Sequence, residues 1–575
     1  MIKKFLYFFD KKQKRALSLL LGFMFIATIL EMLGLGFIFS ILGALSSENL
    51  KSSLFIGKLS FFFNLDEVEI ISYLLLAFLF FYIIKITFLI FYNWYESSFL
   101  YLYKEKLSSN VFKEYLNQNF SYFYDKNSSE FIRNLITEID QFIIFLVNIL
   151  RLALEIVVVV GIFCLLAYFN FYFTALITLT FLFFSLLYFA LFKKKLDTWG
   201  TQRQIHMKKK IQFMQEGFDG IKIIKLLGRE NFFFNKFRLH NINLSKISGL
   251  TNFFQGLPKL LFEFVGIFLI IFSIFIFYYS GKDLIAIVQI LSIYVAASFR
   301  ILPSVNRIVA GLQLIKLNYP AMNVLYHELK NFKKEVGPSY ENFFFNKNIE
   351  VDIEKFQYPN SKNFEISNIK LTILKGQKVG IIGSSGSGKS TVIEILTGIS
   401  DQPKGNITVD GKSIFSNIKG WQKLIGFVPQ KIFILDESLR NNILFGLDNK
   451  KYTDDQILSL IKKLSLENLL KRLPKGLDGN LGEEGISLSG GEIQRIGLCR
   501  ALIYDPEVLF LDEATSSLDV NTESQILDEL KLFKNRTIIS IAHRINTLKD
   551  CDKIYRFDNG KVVDHGSYDK FKIQN

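Results

Sequence analysis

The chain has 575 residues, 50% of them hydrophobic and 15% aromatic, with 61 Phe, and its 68 basic and 53 acidic side chains give a net charge of +15. An average globular protein is about 45–50% apolar, so this near-ordinary mean hides a split between greasy and soluble parts. Nine Pro and 36 Gly exclude a collagenous or proline-rich chain, and three dispersed cysteines, Cys164, Cys499 and Cys551, exclude a disulfide framework or a CxxC zinc pair. Such cysteine usage fits a reducing cytosol for whatever is soluble.

Apolar runs long enough to cross about 30 Å of hydrocarbon lie near residues 16–45, 70–95, 142–169, 171–192, 253–280 and 284–310. The first follows a basic segment, as a signal peptide does, but it is too long for the apolar part of one. Lys and Arg number six in the first 15 residues, five over 101–140 and thirteen over 193–250, against two, none and one in the alternate connections. This asymmetry predicts a cytoplasmic N-terminus and two long cytoplasmic connections. It also accounts for nearly all of the net charge, so no basic patch is left over for nucleic acid. The first external connection, ENLKSSLFIGKLSFFFNL, is apolar enough to form an interfacial helix against lipid tails or a plain packing helix.

After about residue 330 the sequence turns polar, and IEVDIEKF from Ile349 alternates as a half-buried strand does. QKVGIIG, EVLFLD and TIISIA read as buried parallel strands. Directly after the first of these, Gly383–Ser390 reads GSSGSGKS, which satisfies GxxxxGK[ST] and precedes a helical run. In such a loop the backbone N–H groups approach phosphate oxygens, Lys389 supplies a charge for the β and γ phosphates, and the Ser390 hydroxyl ligates Mg²⁺. VLFLDE sets Asp512 and Glu513 at a strand end, which suits a metal-associated carboxylate followed by a general base. The same pair, taken alone, is also a common helix cap.

Together with these motifs, LSGGE at Leu488–Glu492, FVPQ ending in Gln430, SSLD at 516–519, IAHR with His543 and FQYP with Tyr358 stand in an order that resembles the nucleotide-binding domain of an ABC transporter. The family's signature motif usually ends in Gln, so Glu492 is a departure. A lone His or Tyr also has an ordinary packing reading. The resemblance implies that ATP is bound by Tyr358, by Gly383, Ser384, Ser385, Gly386, Ser387, Gly388, Lys389, Ser390 and Thr391, by Gln430 and Asp512, and by Ser489, Gly490 and Gly491 of a second chain. Ser390, Gln430 and Asp512 would serve Mg²⁺. Glu513 would activate water, with His543, Gln430 and Lys389 completing the catalytic set. One copy of each motif implies a half-transporter that pairs, most simply as a homodimer.

FSYFYDKNSSEFIRNLITEIDQF (120–142) and EGFDGIKIIKLLGRE (216–230) are similar to the two cytoplasmic coupling loops of the exporter type. The expected organisation is a polytopic all-α membrane domain of ABC exporter type with six spans over 1–330, a linker over 331–348, and an α/β P-loop ABC nucleotide-binding domain over 349–575. Fusion of the two parts in one chain argues for export, here across a bacterial cytoplasmic (inner) membrane. No peptidase-like segment precedes the first span, which argues against a bacteriocin-processing exporter.

Ionisable side chains inside spans are costly and mark function by default. Arg151 with Glu155 and Lys259 with Glu263 are spaced for pairing along one helix. Lys85, Arg300 and Arg307 have no acid within one turn. At about 1.5 Å per residue, Lys85, Lys259 and Arg300 all fall in the inner half of the bilayer. With Arg307 they form the candidate site for a phosphate or pyrophosphate headgroup, snorkelling being the competing reading. These spans resemble those of lipid-linked oligosaccharide flippases, which implies an ATP-driven flippase for an isoprenoid-pyrophosphate-linked oligosaccharide. An exporter of drugs or of other lipids is the alternative, and a non-transporting regulatory or channel protein the reading from another class.

Overall fold

The computed structural model describes residues 2–46, 67–124, 126–169, 171–279, 284–332, 343–358, 364–482, 485, 488–514, 520–533, 536–542 and 544–572. The external connection 48–65 lies outside them, as do His543 and residues 516–519. The chain forms two compact units, Met1–Gln118 with Lys126–Lys333, and Asn119–Asp125 with Lys334–Asn575.

The first unit is helical. Its long helices are α1 (Lys11–Ser46), α2 (Glu67–Leu116), α3 (Ile139–Phe169), α4 (Phe171–Asp219), α5 (Glu230–Tyr279) and α6 (Leu284–Asn331). Five described segments are long and apolar enough to cross a membrane: Lys11–Gly34, Leu75–Leu116, Ser128–Ala167, Phe171–Asp219 and Glu230–Ile276. The sixth expected run falls on α6, whose side chains as far as residue 293 are outside the description. Leu179, Phe183 and Leu186 of α4 are each at least 60% exposed. An apolar face of this kind is a liability in water and the natural surface against lipid.

α6 packs most extensively on α3, and α4 on α5 and α6. The α3–α6 contact corrects the expected pairing of intramembrane charges. Arg307 Nε donates to Glu155 Oε1 at 2.5 Å and Nη2 to Oε2 at 3.3 Å, while Arg151 turns to Glu96, with N and O 3.8 Å apart. Arg307 is therefore not a cation awaiting a ligand. Local spacing offered Glu155 to Arg151, but helix packing brings it to a residue 152 positions away. The Lys85 ammonium lies 5.1 Å from the centroid of the Tyr82 ring. Lys259 and Glu263 are both exposed, and the Arg300 side chain is outside the description.

α4 leaves the apolar run at Lys193–Lys195 and continues as a polar helix to Asp219. A seven-residue helix, Ile221–Leu227, follows and is closed by Gly228 in the left-handed region at φ +61°, where a side chain would be strained. A cavity of about 200 Å³ lies among α3–α6, lined by apolar side chains together with Thr174, Ser185, Ser273 and Tyr294.

The second unit is α/β. Four strands, β1 (Asn348–Phe356), β2 (Ile366–Leu374), β4 (Lys404–Val409) and β5 (Lys412–Ser413), make an antiparallel sheet ordered β2-β1-β4-β5. The others, β3 (Lys378–Gly383), β6 (Ile425–Val428), β7 (Val508–Asp512), β8 (Thr537–Ile541), β9 (Lys553–Asp558) and β10 (Lys561–Gly566), form a sheet ordered β10-β9-β3-β8-β7-β6. All its pairings are parallel except β9 with β10. β1 alternates in burial as its sequence predicts, and Val508–Leu511 of β7 are all buried. Each such side chain contributes about 1.5–3 kcal/mol on burial, so the central strands hold the sheet edge rigidly in place. The ends of β3 and β7 lie on the same edge of this sheet, separated only by β8. That carboxyl edge is where open α/β sheets bind ligands.

Candidate functional site

The loop after β3 turns into α7 (Lys389–Leu396). Gly386 and Gly388 take φ values of +79° and +98°, backbone that a side chain would strain. A Cβ at Gly388 would also come within 3.0 Å of the Phe364 ring. The Ser387 hydroxyl is buried without a hydrogen-bond partner among the described residues. An orphaned donor in a glycine-rich loop fits an anion such as phosphate.

Lys389 is 4% exposed, and its ammonium donates to the carbonyls of Gly383 and Ser384 at 3.0 and 2.8 Å. Burial pulls its pKa below the ordinary lysine value, while Glu513 and Asp512 push it back up. The Ser390 hydroxyl donates to Asp512 Oδ1 at 3.1 Å. Burial chiefly raises the Asp512 pKa, Ser390 opposes this, and the neighbouring Glu513 adds to it. Gln430 Nε2 donates to Glu513 Oε2 at 2.5 Å. Glu513 is 8% exposed and sits at φ +49°, a left-handed conformation costly for a side chain of this kind. A half-buried and a buried carboxylate in sequence, with a hydroxyl and an amide, form a hard-oxygen donor set that suits a small divalent cation bridging to phosphate.

The structure thus gathers Lys389, Ser390, Gln430, Asp512 and Glu513 at one sheet edge. Tyr358 lies nearby, its hydroxyl donating to Glu394 Oε2 at 2.7 Å, with Thr391 Oγ1 3.2 Å from the same hydroxyl. Tyr124, from the four-residue helix Ser121–Tyr124, donates to the same Glu394 oxygen at 2.8 Å and meets the Tyr358 ring edge-on at 4.9 Å. Glu394 and Tyr124 escaped the sequence reading. Glu394 had a signal, being one turn beyond Ser390 and Thr391 on α7, but Tyr124 had none.

Ser489, Gly490 and Gly491 form a separate cluster at the start of α8 (Gly490–Leu502). Among the described residues, the side-chain hydrogen bonds of Ser489 run to Glu492 and none runs to the Lys389 cluster. Ser489 caps α8 and Glu492 closes a capping box with it. Arg472 Nη2 donates to both Glu492 oxygens, at 3.0 and 3.1 Å. Burial alone would raise the Glu492 pKa, but the Ser489 N–H, the Arg472 guanidinium and the Ser489 hydroxyl outweigh it and hold the carboxyl below its ordinary value.

Residues 17–304 match the family described as the ABC transporter transmembrane region, and residues 366–516 match the family described as ABC transporter. The chain belongs to the ABC transporter family. It is 37% identical over 218 residues to P-glycoprotein 14 of Caenorhabditis elegans, covering 37% of this chain and 16% of that protein. It is 37% identical over 222 residues to the ATP-dependent lipid A-core flippase of Alkalilimnicola ehrlichii, covering 38% of each. Against the ABC multidrug transporter MDR1 of Cryptococcus neoformans it is 30% identical over 393 residues, or 64% of this chain and 27% of that one. The matches therefore span well under half the length of these relatives. A solved bacterial Atm1-family ABC exporter with ATP bound shares the fold, with a TM-score of 0.79 at 19% identity, covering 98% of this chain and 97% of that one. The architecture is that of an ABC exporter, a helical transmembrane domain joined to an α/β nucleotide-binding domain.

Proposed function

We propose that the chain is one half of an ATP-driven exporter that works as a pair of chains, with six spans and with its N-terminus and ATPase part in the cytoplasm of a bacterial cell. The observation that carries this is the cluster Ser390–Asp512 and Gln430–Glu513 beside Lys389, at the carboxyl edge of a parallel sheet in a chain whose other unit carries membrane-length helices. Lys389 and the N–H groups of the loop hold the β and γ phosphates. Glu513, oriented by Gln430, accepts the proton of the water that attacks the γ phosphorus, and ADP is the leaving group. Mg²⁺, held by Ser390, Asp512 and Gln430, would neutralise phosphate charge when bound. Ser489, Gly490 and Gly491 meet the γ phosphate held by the other chain, which is why they stand apart in one chain.

Tyr358 offers its ring to adenine. Tyr358→Ala is expected to raise half-saturating ATP about 5- to 150-fold, the worth of one stacked base. Tyr358→Phe keeps the ring and stays near the parent value, so equal defects in both variants would assign Tyr358 to its Glu394 bond instead.

For the cargo, the reading is an isoprenoid-pyrophosphate-linked oligosaccharide, with Arg300, Lys85 and Lys259 as the candidate cations for its headgroup. The apolar cavity among α3–α6 favours any cargo with a hydrocarbon part and so equally supports a drug or another lipid. Proteoliposomes loaded with labelled pyrophosphate-linked glycan decide between them. ATP-dependent movement that falls in Arg300→Ala supports the headgroup reading. Movement of lipid or drug without movement of the glycan replaces it.

A further inference from the structure

The first turn of α8 already holds an anion of its own. The Ser489 hydroxyl donates to Glu492 Oε2 at 3.0 Å and accepts from the Glu492 N–H at 3.3 Å, and the Ser489 N–H donates to the same carboxylate oxygen at 2.7 Å. A serine hydroxyl has one proton, and here it is spent on a carboxylate. A phosphate oxygen arriving at Ser489 must take over that donation while it approaches a negative charge. Gln at this position could accept the same bonds without repelling phosphate. Arg472, at the end of the short helix Glu467–Arg472, partly neutralises the carboxylate and holds both its oxygens. The Arg472 side chain is 54% exposed and that of Glu492 16%, so solvent reaches the pair.

We propose that Glu492 and Arg472 form an electrostatic brake on ATP-driven pairing of two chains: the carboxylate competes with the γ phosphate for Ser489, and Arg472 sets how strongly. This rests on the reading that Ser489 meets a phosphate held by the partner chain. Both are positioning residues, since they act on the nucleotide through Ser489.

The test uses the full chain in lipid nanodiscs, with half-saturating ATP and plateau rate measured separately. Glu492→Gln, which keeps the capping box, lowers half-saturating ATP about two- to fivefold, the effect of one charge at an exposed helix start, and moves it more than the plateau. Arg472→Ala raises it by a similar factor, and this rise shrinks as salt goes from about 50 to about 500 mM. The double variant matches Glu492→Gln alone, because Arg472 acts only through Glu492. An unchanged half-saturation in Glu492→Gln overturns the brake, as does an Arg472→Ala defect that persists in the double variant. If the parent hydrolyses no ATP, the ATPase reading and the brake fall together. Failure of the brake alone leaves parent hydrolysis intact.

Discussion

Glu513→Gln lowers ATP turnover about 10²- to 10⁴-fold while leaving ATP bound, the usual size of a lost general base. The variant is close to isosteric, and a Gln carbonyl can still accept the proton that Gln430 Nε2 now gives to Glu513 Oε2. What it loses is the ability to take a proton from water at the end of β7. Phosphate release by the purified full chain measures the rate, and equilibrium binding of a fluorescent ATP analogue measures occupancy. Turnover within tenfold of the parent would remove Glu513 from the chemistry. Loss of binding together with turnover would instead assign Glu513 to holding the loop.

Lys389→Ala is expected to weaken ATP binding by roughly 10- to 150-fold, since hydrogen bonds to charged groups contribute about 1.5–3 kcal/mol. Lys389 is 4% exposed and its ammonium is pinned to two carbonyls of its own loop, so it is already in place before nucleotide arrives. Lys389→Arg should not restore binding, because a planar guanidinium does not fit where a compact point charge is cradled. A thermal midpoint near the parent value shows that the loop still folds. Full binding by Lys389→Ala would break the phosphate assignment.

The parts of the site that were legible in the sequence are those with fixed spacing on one loop or strand end. Gly386, Gly388, Lys389 and Ser390 are neighbours, and their chemistry follows from the turn they make. Asp512 and Glu513 were readable because a buried strand delivers them to an edge. Contacts that depend on how helices pack were not readable. Glu155 could be assigned locally only to Arg151, whereas α6 brings it Arg307. The same applies to Glu492, whose partner Arg472 lies 20 residues upstream with no periodicity to announce it. The membrane runs were legible in composition, but which of their cations stand alone was a question of rotation about each helix axis, and sequence does not carry it.

Glu513 poses a different problem for anyone who would improve this protein. At φ +49° its backbone is better suited to Gly or Asn, while the reaction wants a carboxylate. Selection for folding and selection for turnover therefore favour different residues at this one position. A redesign scored on stability alone would accept the change here and return a well-behaved, inert transporter.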